Sequence, residues 1–218
     1  MSRQIGTISL TLPFRLGSVN CYIVETDGGF VLIDTGASNR RRQLEKELEN
    51  AGCKPGNLKL IILTHGDFDH TGNAAYLRRK FGARIAIHQD DAGMLEHGDI
   101  FWNRKRGNFL IRAVSSSLFR FGKSQKCSPD LRLEDGDDLS EYGFDAKVLH
   151  IPGHSKGSIA IFTADGALFC GDLLLYKDGP ILNSIIDDRA AAQASFERLK
   201  SLKANTLYPG HGQAFHWL

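Results

Sequence analysis

Apolar runs recur along the chain at residues 21–24, 30–33, 58–63, 84–88, 147–151, 158–162 and 167–170. Each is too short for a helix of ordinary length, and several are apolar at consecutive positions, so they predict strands buried on both faces. Between them the period lengthens. Residues 39–51 place Leu44 and Leu48 four apart, follow Ser38 as a candidate N-cap, and stop at Gly52. Residues 190–202 set Phe196, Leu199 and Leu202 on one side of a second helix. Strands come first and then strand and helix alternate, which predicts a mixed α/β domain. No short-period repeat, low-complexity tract or linker interrupts residues 1–218, so one domain is expected.

One stretch breaks the pattern. Residues 98–128 are too long for a turn and predict a lid inserted into the domain. Leu110, Val114, Leu118 and Phe121 fall on one helical stripe, with Arg112, Arg120 and Lys123 roughly opposite. With Arg104, Lys105, Arg106 and Lys126 the segment holds seven basic residues against Asp99 alone. That face either is solvated or attracts an anionic substrate. Phe101, Trp102, Phe109 and Phe119 could wall an apolar pocket or a homodimer contact.

Composition narrows the class. The 218 residues are 42% hydrophobic and 24% charged with a net charge of +2, as in an ordinary globular protein. No stretch approaches the roughly 20 apolar residues of a membrane span, and residues 1–14 alternate Ile5, Thr7, Ile8 and Leu10 rather than forming a leader. A cytoplasmic protein with no membrane partner is expected. Cys21, Cys53, Cys127 and Cys170 lack C-x-x-C spacing, which predicts reduced, mostly buried thiols. Neither a Gly-x-Ser-x-Gly elbow nor a Walker or dinucleotide fingerprint occurs, so serine-nucleophile, ATP and nicotinamide chemistry are excluded.

The chemistry is concentrated just after residues 60–63. His65, Asp67, Asp69 and His70 supply four potential ligands within six residues. Residues two apart in an extended segment share a side, so His65 and Asp67 can converge on one ion while Asp69 and His70 turn toward another. Gly66 is expected to let the backbone bend. Three further candidates lie in glycine-containing turns: His154 in Pro152-Gly153-His154-Ser155, Asp172 in Gly171-Asp172, and His211 in Gly210-His211-Gly212. Seven nitrogen and oxygen donors without thiolate suit zinc, iron or manganese in an open catalytic site. Asp172 could bridge two ions. Taken singly, His88, His97, His150 and His216 carry no such signal.

The order His65-x-Asp67-x-Asp69-His70, then His154, Asp172 and His211, resembles the metallo-β-lactamase-fold hydrolase superfamily over nearly the whole chain. The neighbourhoods 148–157, 168–174 and 208–212 are similar to its glyoxalase II and lactonase branch. Asp67 stands where most members have His; the flavodiiron branch and competence-type nucleases also carry a carboxylate there. The resemblance implies a four-layered αββα sandwich and two divalent ions, most often zinc. By it His65, Asp67 and His154 form one site, Asp69, His70 and His211 the other, with Asp172 between. It also implies that Tyr176 hydrogen-bonds a developing oxyanion, as a tyrosine does in the lactonase branch.

Two dications lower the pKa of a shared water, so hydroxide is available near neutral pH and a carbonyl or phosphoryl oxygen is polarised. Asp69 is placed to orient that hydroxide and to return a proton. The resulting expectation is a dinuclear hydrolase of a small ester, thioester or lactone. The glyoxalase II family continues past the position of His211 into a helical region that holds glutathione, whereas seven residues follow here, which argues against glutathione as the thiol. The alternatives are di-iron chemistry on oxygen or nitric oxide, suggested by Asp67; a phosphodiesterase or nuclease, suggested by the basic segment although no nucleic-acid partner is otherwise signalled; and a non-catalytic metabolite-binding module.

Overall fold

The computed structural model describes residues 4–13, 17–104 and 125–217. Six strands hydrogen-bond in sequence order into one sheet: β1 (Ile5–Thr11), β2 (Ser18–Thr26), β3 (Gly29–Ile33), β4 (Leu58–Leu63), β5 (Arg84–His88) and β6 (Leu131–Leu133). The first three are antiparallel, and β3 to β6 run parallel. Next come β7 (Ala146–His150), β8 (Ile159–Thr163) and β9 (Ala167–Gly171), a ribbon of β10 (Leu174–Tyr176) and β11 (Pro180–Leu182), then β12 (Thr206–Pro209) and β13 (Phe215–His216). The second sheet has the order β13-β12-β9-β8-β7, with β12 parallel to β9.

Two-residue alternation decides the layers. Val31, Ile33, Leu60 and Ile62 face Val148, Ile161 and Phe169 of the second sheet, forming the core between the sheets. Their neighbours Leu32, Ile61, Leu63, Ile85 and Ile87 face outward and are covered by helices α1 (Arg41–Asn50), α3 (Ala74–Phe81) and α4 (Gln89–His97) through Leu44, Leu48, Leu77, Phe81 and Leu95. A single-turn helix, α2 (Phe68–Thr71), precedes α3. On the far side Leu149, Leu168, Cys170 and Leu207 are covered by Ala192 and Leu199 of α5 (Arg189–Lys200). Both faces of both sheets are therefore buried, which is why runs such as 60–63 are continuously apolar. The order is α/β/β/α, as the resemblance implied. Each fully buried Leu, Ile or Phe contributes about 1.5–3 kcal/mol of transfer free energy.

Several local readings change. Ser38 does not cap α1: it opens a 3-10 turn, Ser38–Arg40, and α1 starts at Arg41 without a side-chain cap. The alternation at Ile5, Thr7, Ile8 and Leu10 is an edge strand, β1, paired along its whole length with β2. Asp188 caps α5 by accepting from the Ala191 N–H. Of the segment 98–128, residues 105–124 lie outside the described residues, and with them Lys105, Arg106, Phe109, Leu110, Arg112, Val114, Leu118, Phe119, Arg120, Phe121 and Lys123. Cys21, Cys53 and Cys170 are buried free thiols and Cys127 is half-buried. Burial pushes Cys53 up to about 12 and raises Cys170, so these are inert core residues. Among the described residues no helix is long and apolar enough to cross a membrane.

The parallel strands end on one side of the molecule. Asp34 follows β3, Thr64 and His65 follow β4, Asp172 follows β9, and His211 follows β12. The two sheets are tied together there. Ile159 N–H at the start of β8 donates to the Thr64 carbonyl at 2.9 Å, and Asn20 N–H in β2 donates to the Gly210 carbonyl at 2.8 Å. Carboxyl ends of parallel strands are where loops can leave a rigid sheet and present side chains in common.

Candidate metal centre

All seven sequence-predicted ligands converge at this end. One ligand atom each from His65, His154 and Asp172 lies within 4.8 Å of the others, and the same holds for Asp69, His70 and His211. Asp172 joins the groups: its Oδ1 is 3.3 Å from His70 Nε2 and its Oδ2 3.1 Å from His211 Nε2. Asp67 Oδ2 sits 3.0 Å from His154 Nε2 and 3.5 Å from His65 Nε2, and Asp69 Oδ2 is 3.5 Å from His211 Nε2. Asp172 thus stands with His65 and His154, and Asp67 joins that group through its contacts to the same two imidazoles.

Each imidazole is aimed by a bond from its other nitrogen. His154 Nδ1–H donates to the Ile185 carbonyl at 2.6 Å and His211 Nδ1–H to the Ser18 carbonyl at 2.7 Å. His70 Nδ1–H donates to Asp34 Oδ2 at 2.8 Å. The Thr64 hydroxyl donates to Asp34 Oδ2 at 2.8 Å, which leaves its oxygen to accept from His65 Nδ1–H at 3.0 Å. With the four Nδ1 atoms engaged in this way, the four Nε2 atoms are turned toward the carboxylates of Asp67, Asp69 and Asp172. His65 Nε2, His70 Nε2 and Asp172 Oδ1 are buried without a hydrogen bond, an arrangement that is costly unless something else occupies them.

The electrostatics favour a cation. Burial opposes charge on Asp172, but His70 and His211 hold its carboxyl well below the usual range. Burial likewise opposes Asp67, and Arg104, His154 and His65 hold it low. Conversely, Asp172 and Asp34 push His70 up against its own burial, while Asp67 and Asp172 raise His154 and Asp172 raises His211. Asp69 differs: burial, with Asp172 and Asp67 beside it, raises its carboxyl. Three carboxylates thus gather positive charge between them, and a dication can replace those protons. The donor set and the orphaned Nε2 atoms fit two divalent ions.

Supporting residues were missed by sequence reading. Asp34 adopts φ 62°, in the left-handed region, and accepts from Thr64 N–H and Oγ1–H and from His70. Buried Asp91 on α4 accepts from Gly66 N–H, Gly157 N–H and the Ser155 hydroxyl at 3.0, 2.8 and 2.6 Å, which locks the His65 loop to the His154 loop. Gly66 is needed for space rather than for bending, because a Cβ there would strike Met94. Gly210 is equally constrained, since a Cβ would overlap Asp172 Oδ1. An Asp in a strand-end turn or on a helix carries no local mark of such contacts. Only the run Leu32-Ile33-Asp34-Thr35-Gly36, an apolar strand ending on a buried polar pair, could have flagged Asp34.

Arg104, the described member of the basic cluster 104–106, does reach the site. Its Nη1 pairs with Asp67 Oδ1 and its Nε with Asp187 Oδ2, both at 2.8 Å, so two carboxylates already compensate its charge. A cavity of about 260 Å³ beside it is lined by Arg104, Gly153, Ser155, Lys156 and Asp187 among others. Tyr176 stands apart from the ligands in its contacts: its ring rests on Phe215 with centroids 4.7 Å apart, and the residue is 55% exposed. A third grouping, His88, Asp90 and His150, is a poor chelate. The two rings stack 4.2 Å apart and within 10° of parallel, so their in-plane lone pairs do not converge. His88 Nδ1 accepts from Asp90 N–H and His150 Nε2 donates to the Lys156 carbonyl.

Known proteins place this geometry. Residues 14–211 match the model of the metallo-beta-lactamase superfamily. The chain is 31% identical to acyl-coenzyme A thioesterase MBLAC2 of Bos taurus, over 90% of this chain and 74% of that protein. It is 27% identical to hydroxyacylglutathione hydrolase GloC of Haemophilus influenzae, over 75% and 70% respectively. Among solved structures it resembles TTHA1623 in a di-iron-bound form, with a TM-score of 0.73 and 29% identity over 96% of this chain and 94% of that one. It also resembles the metallo-beta-lactamase family protein TTHA1429 of Thermus thermophilus, with a TM-score of 0.75 and 25% identity over 97% and 74%. The match spans all seven converging side chains, and the chain belongs to the metallo-β-lactamase superfamily as a metal-dependent hydrolase.

Proposed function

We propose that this protein hydrolyses a small acyl thioester at a dinuclear centre, with esters and lactones as weaker substrates. The observation that carries the reading is the pair of His/Asp groups meeting at Asp172. The bovine and Haemophilus relatives support the choice of thioester, since both are named for hydrolysis of acyl groups carried on a thiol. In this reading His65, Asp67 and His154 would hold one ion, Asp69, His70 and His211 the other, and Asp172 would contribute to both. When bound, such ions supply Lewis acidity that activates water and polarises a carbonyl oxygen.

The chain's own residues do the rest. Asp34, Thr64, Ile185 and Ser18 fix the four rings so that the Nε2 atoms, and not Nδ1, are presented. Asp69, a carboxylate among the candidate ligands with its Oδ2 3.5 Å from His211 Nε2, is the group suited to take a proton from water and return it to the leaving thiolate. Tyr176 is assigned to the oxyanion: with its ring resting on Phe215 and more than half its surface exposed, its hydroxyl is available to a ligand. Zinc suits the donor set, and the di-iron form of TTHA1623 makes iron the alternative. The test is metal content of protein purified without added salts, together with rates on acyl-coenzyme A, acylglutathione, p-nitrophenyl acetate, lactones and bis-p-nitrophenyl phosphate. The expected result is two ions per chain and fastest turnover of a thioester. Cleavage of the phosphodiester alone, or oxygen consumption by an iron-loaded protein that leaves every ester intact, would replace this reading.

A further inference from the structure

We propose that Arg104 is a positioning residue for the metal centre, turning Asp67 so that one oxygen is presented to the site and the other is held away. The inference rests on the reading of Asp67 as a donor beside His65 and His154. A carboxylate on a single bond has two equivalent oxygens and rotates freely. Here they are made inequivalent: Oδ2 lies 3.0 Å from His154 Nε2 and 3.5 Å from His65 Nε2, while Oδ1 lies 2.8 Å from Arg104 Nη1. The guanidinium is itself fixed from the other side, its Nε 2.8 Å from Asp187 Oδ2.

Asp187 is in turn seated by its N–H on the Gly153 carbonyl at 2.8 Å, next to the candidate ligand His154. Arg104 therefore bridges the loop that carries His65 and Asp67 to the backbone that carries His154. Its side chain is 9% exposed, and a buried guanidinium is tolerable only when paired. The contacts are ion pairs rather than aligned hydrogen bonds, since Arg104 Nε, Asp67 Oδ1 and Asp187 Oδ2 have no hydrogen-bond partner, so the guanidinium holds Oδ1 by its charge and its reach between two carboxylates. The same contact offsets the negative charge of Asp67, so the donor group His65, Asp67 and His154 gains an oxygen ligand without a net added charge.

The experiment measures zinc affinity of the full chain by competition with a chromophoric chelator, and the ligand-field spectrum of the cobalt-loaded protein. Arg104→Gln is compared in two backgrounds, native Asp67 and Asp67→His. With Asp67 present, Arg104→Gln should weaken zinc binding about 10- to 100-fold and alter the cobalt spectrum. With Asp67→His there is no second oxygen to restrain, and the same substitution should leave affinity within about twofold. Arg104→Lys, which keeps the charge but reaches only one carboxylate at a time, should fall between the native protein and Arg104→Gln. Should Arg104→Gln fail to fold, Asp187→Asn frees the guanidinium from its anchor and should give the same Asp67-dependent loss. Unchanged or tighter zinc binding with Asp67 present, or an equal loss in both backgrounds, overturns the inference. Native protein that binds zinc but turns over no thioester removes only the proposed activity; native protein that binds no zinc removes both.

Discussion

Asp34 shows how one residue outside the ligand set can govern it. Its carboxylate accepts from Thr64 N–H, Thr64 Oγ1–H and His70 Nδ1–H, and through Thr64 it also sets the ring of His65. One ligand of each donor group is thereby aimed from a single carboxylate. Its backbone holds φ 62°, a conformation that costs a non-glycine residue about 1 kcal/mol or more, and the four-membered network offsets that cost. Asp34→Ala should reduce metal affinity about 10- to 100-fold, the usual range for a supporting partner, and should let both rings rotate. Equilibrium dialysis against zinc gives the affinity directly; a variant that still holds two ions as tightly as the native protein would show that the rings are set by packing instead. The seven candidate ligands were legible because their residue types and glycine-flanked spacing are local. Asp34 was not, because its partners lie 30 and 36 positions away, and Asp91 was hidden for the same reason; Arg104 was read only as part of a basic face, without its pairing to Asp67.

Among the elements, legibility follows burial and length. Strands β3, β4 and β9 are covered on both faces over most of their length and carry the apolar runs 30–33, 60–63 and 167–170. The ribbon β10–β11 and the two-residue β13 are too short for a period, α2 is a single turn, and α4 carries Gly93, where any side chain would strike Trp102. Elements also meet at places no pattern marks. His88 ends β5 in one sheet and His150 ends β7 in the other, yet their rings stack. Burial, and secondarily His150, lowers the pKa of His88 against the opposing pull of Asp90, Asp91 and Glu134. The folded protein thus resists a proton that the unfolded chain accepts near pH 6.5. This contribution is complete above about pH 6.5 and is lost as pH falls from there through the folded pKa. His88→Asn, which keeps an oxygen to accept from Asp90 N–H, should lose less stability than the native protein between about pH 6.5 and 5. Urea denaturation of both proteins in chelator gives the difference. The raised histidines His70, His154 and His211 act in the opposite sense, full at low pH and fading as pH rises, and they cancel because both proteins carry them. Parallel pH curves for the two proteins would mean that His88 keeps its ordinary pKa in the fold.

For the molecule as a whole, the candidate centre is a seam. His65, Asp67, Asp69 and His70 follow β4 of the first sheet, and His154, Asp172 and His211 come from loops of the second. Ions held there would join the halves at one end, where the backbone bonds Ile159 to Thr64 and Asn20 to Gly210 already cross. The rest of the contact is apolar: Tyr22, Val24, Ile33, Leu60 and Ile62 against Val148, Ile161 and Phe169. That core does not depend on metal, so a metal-free chain should keep its sheets and helices while losing the clamp. Binding to the folded state alone adds RT ln(1 + [M]/Kd), about 4 kcal/mol at a thousandfold excess over Kd. Chelation should therefore lower the unfolding free energy by that order and the urea midpoint in proportion, leave the denaturant slope unchanged because the surface exposed on unfolding is the same, and leave the far-ultraviolet circular dichroism intact. Hydrogen exchange locates the effect. Amides of Thr64, Ile159 and Gly210, at the seam, should lose protection on chelation before those of β1 and β13 at the sheet edges change. A midpoint indifferent to chelator would mean that the seven side chains do not clamp the two sheets, and loss of the far-ultraviolet signal would mean that the apolar core cannot hold the sheets together unaided.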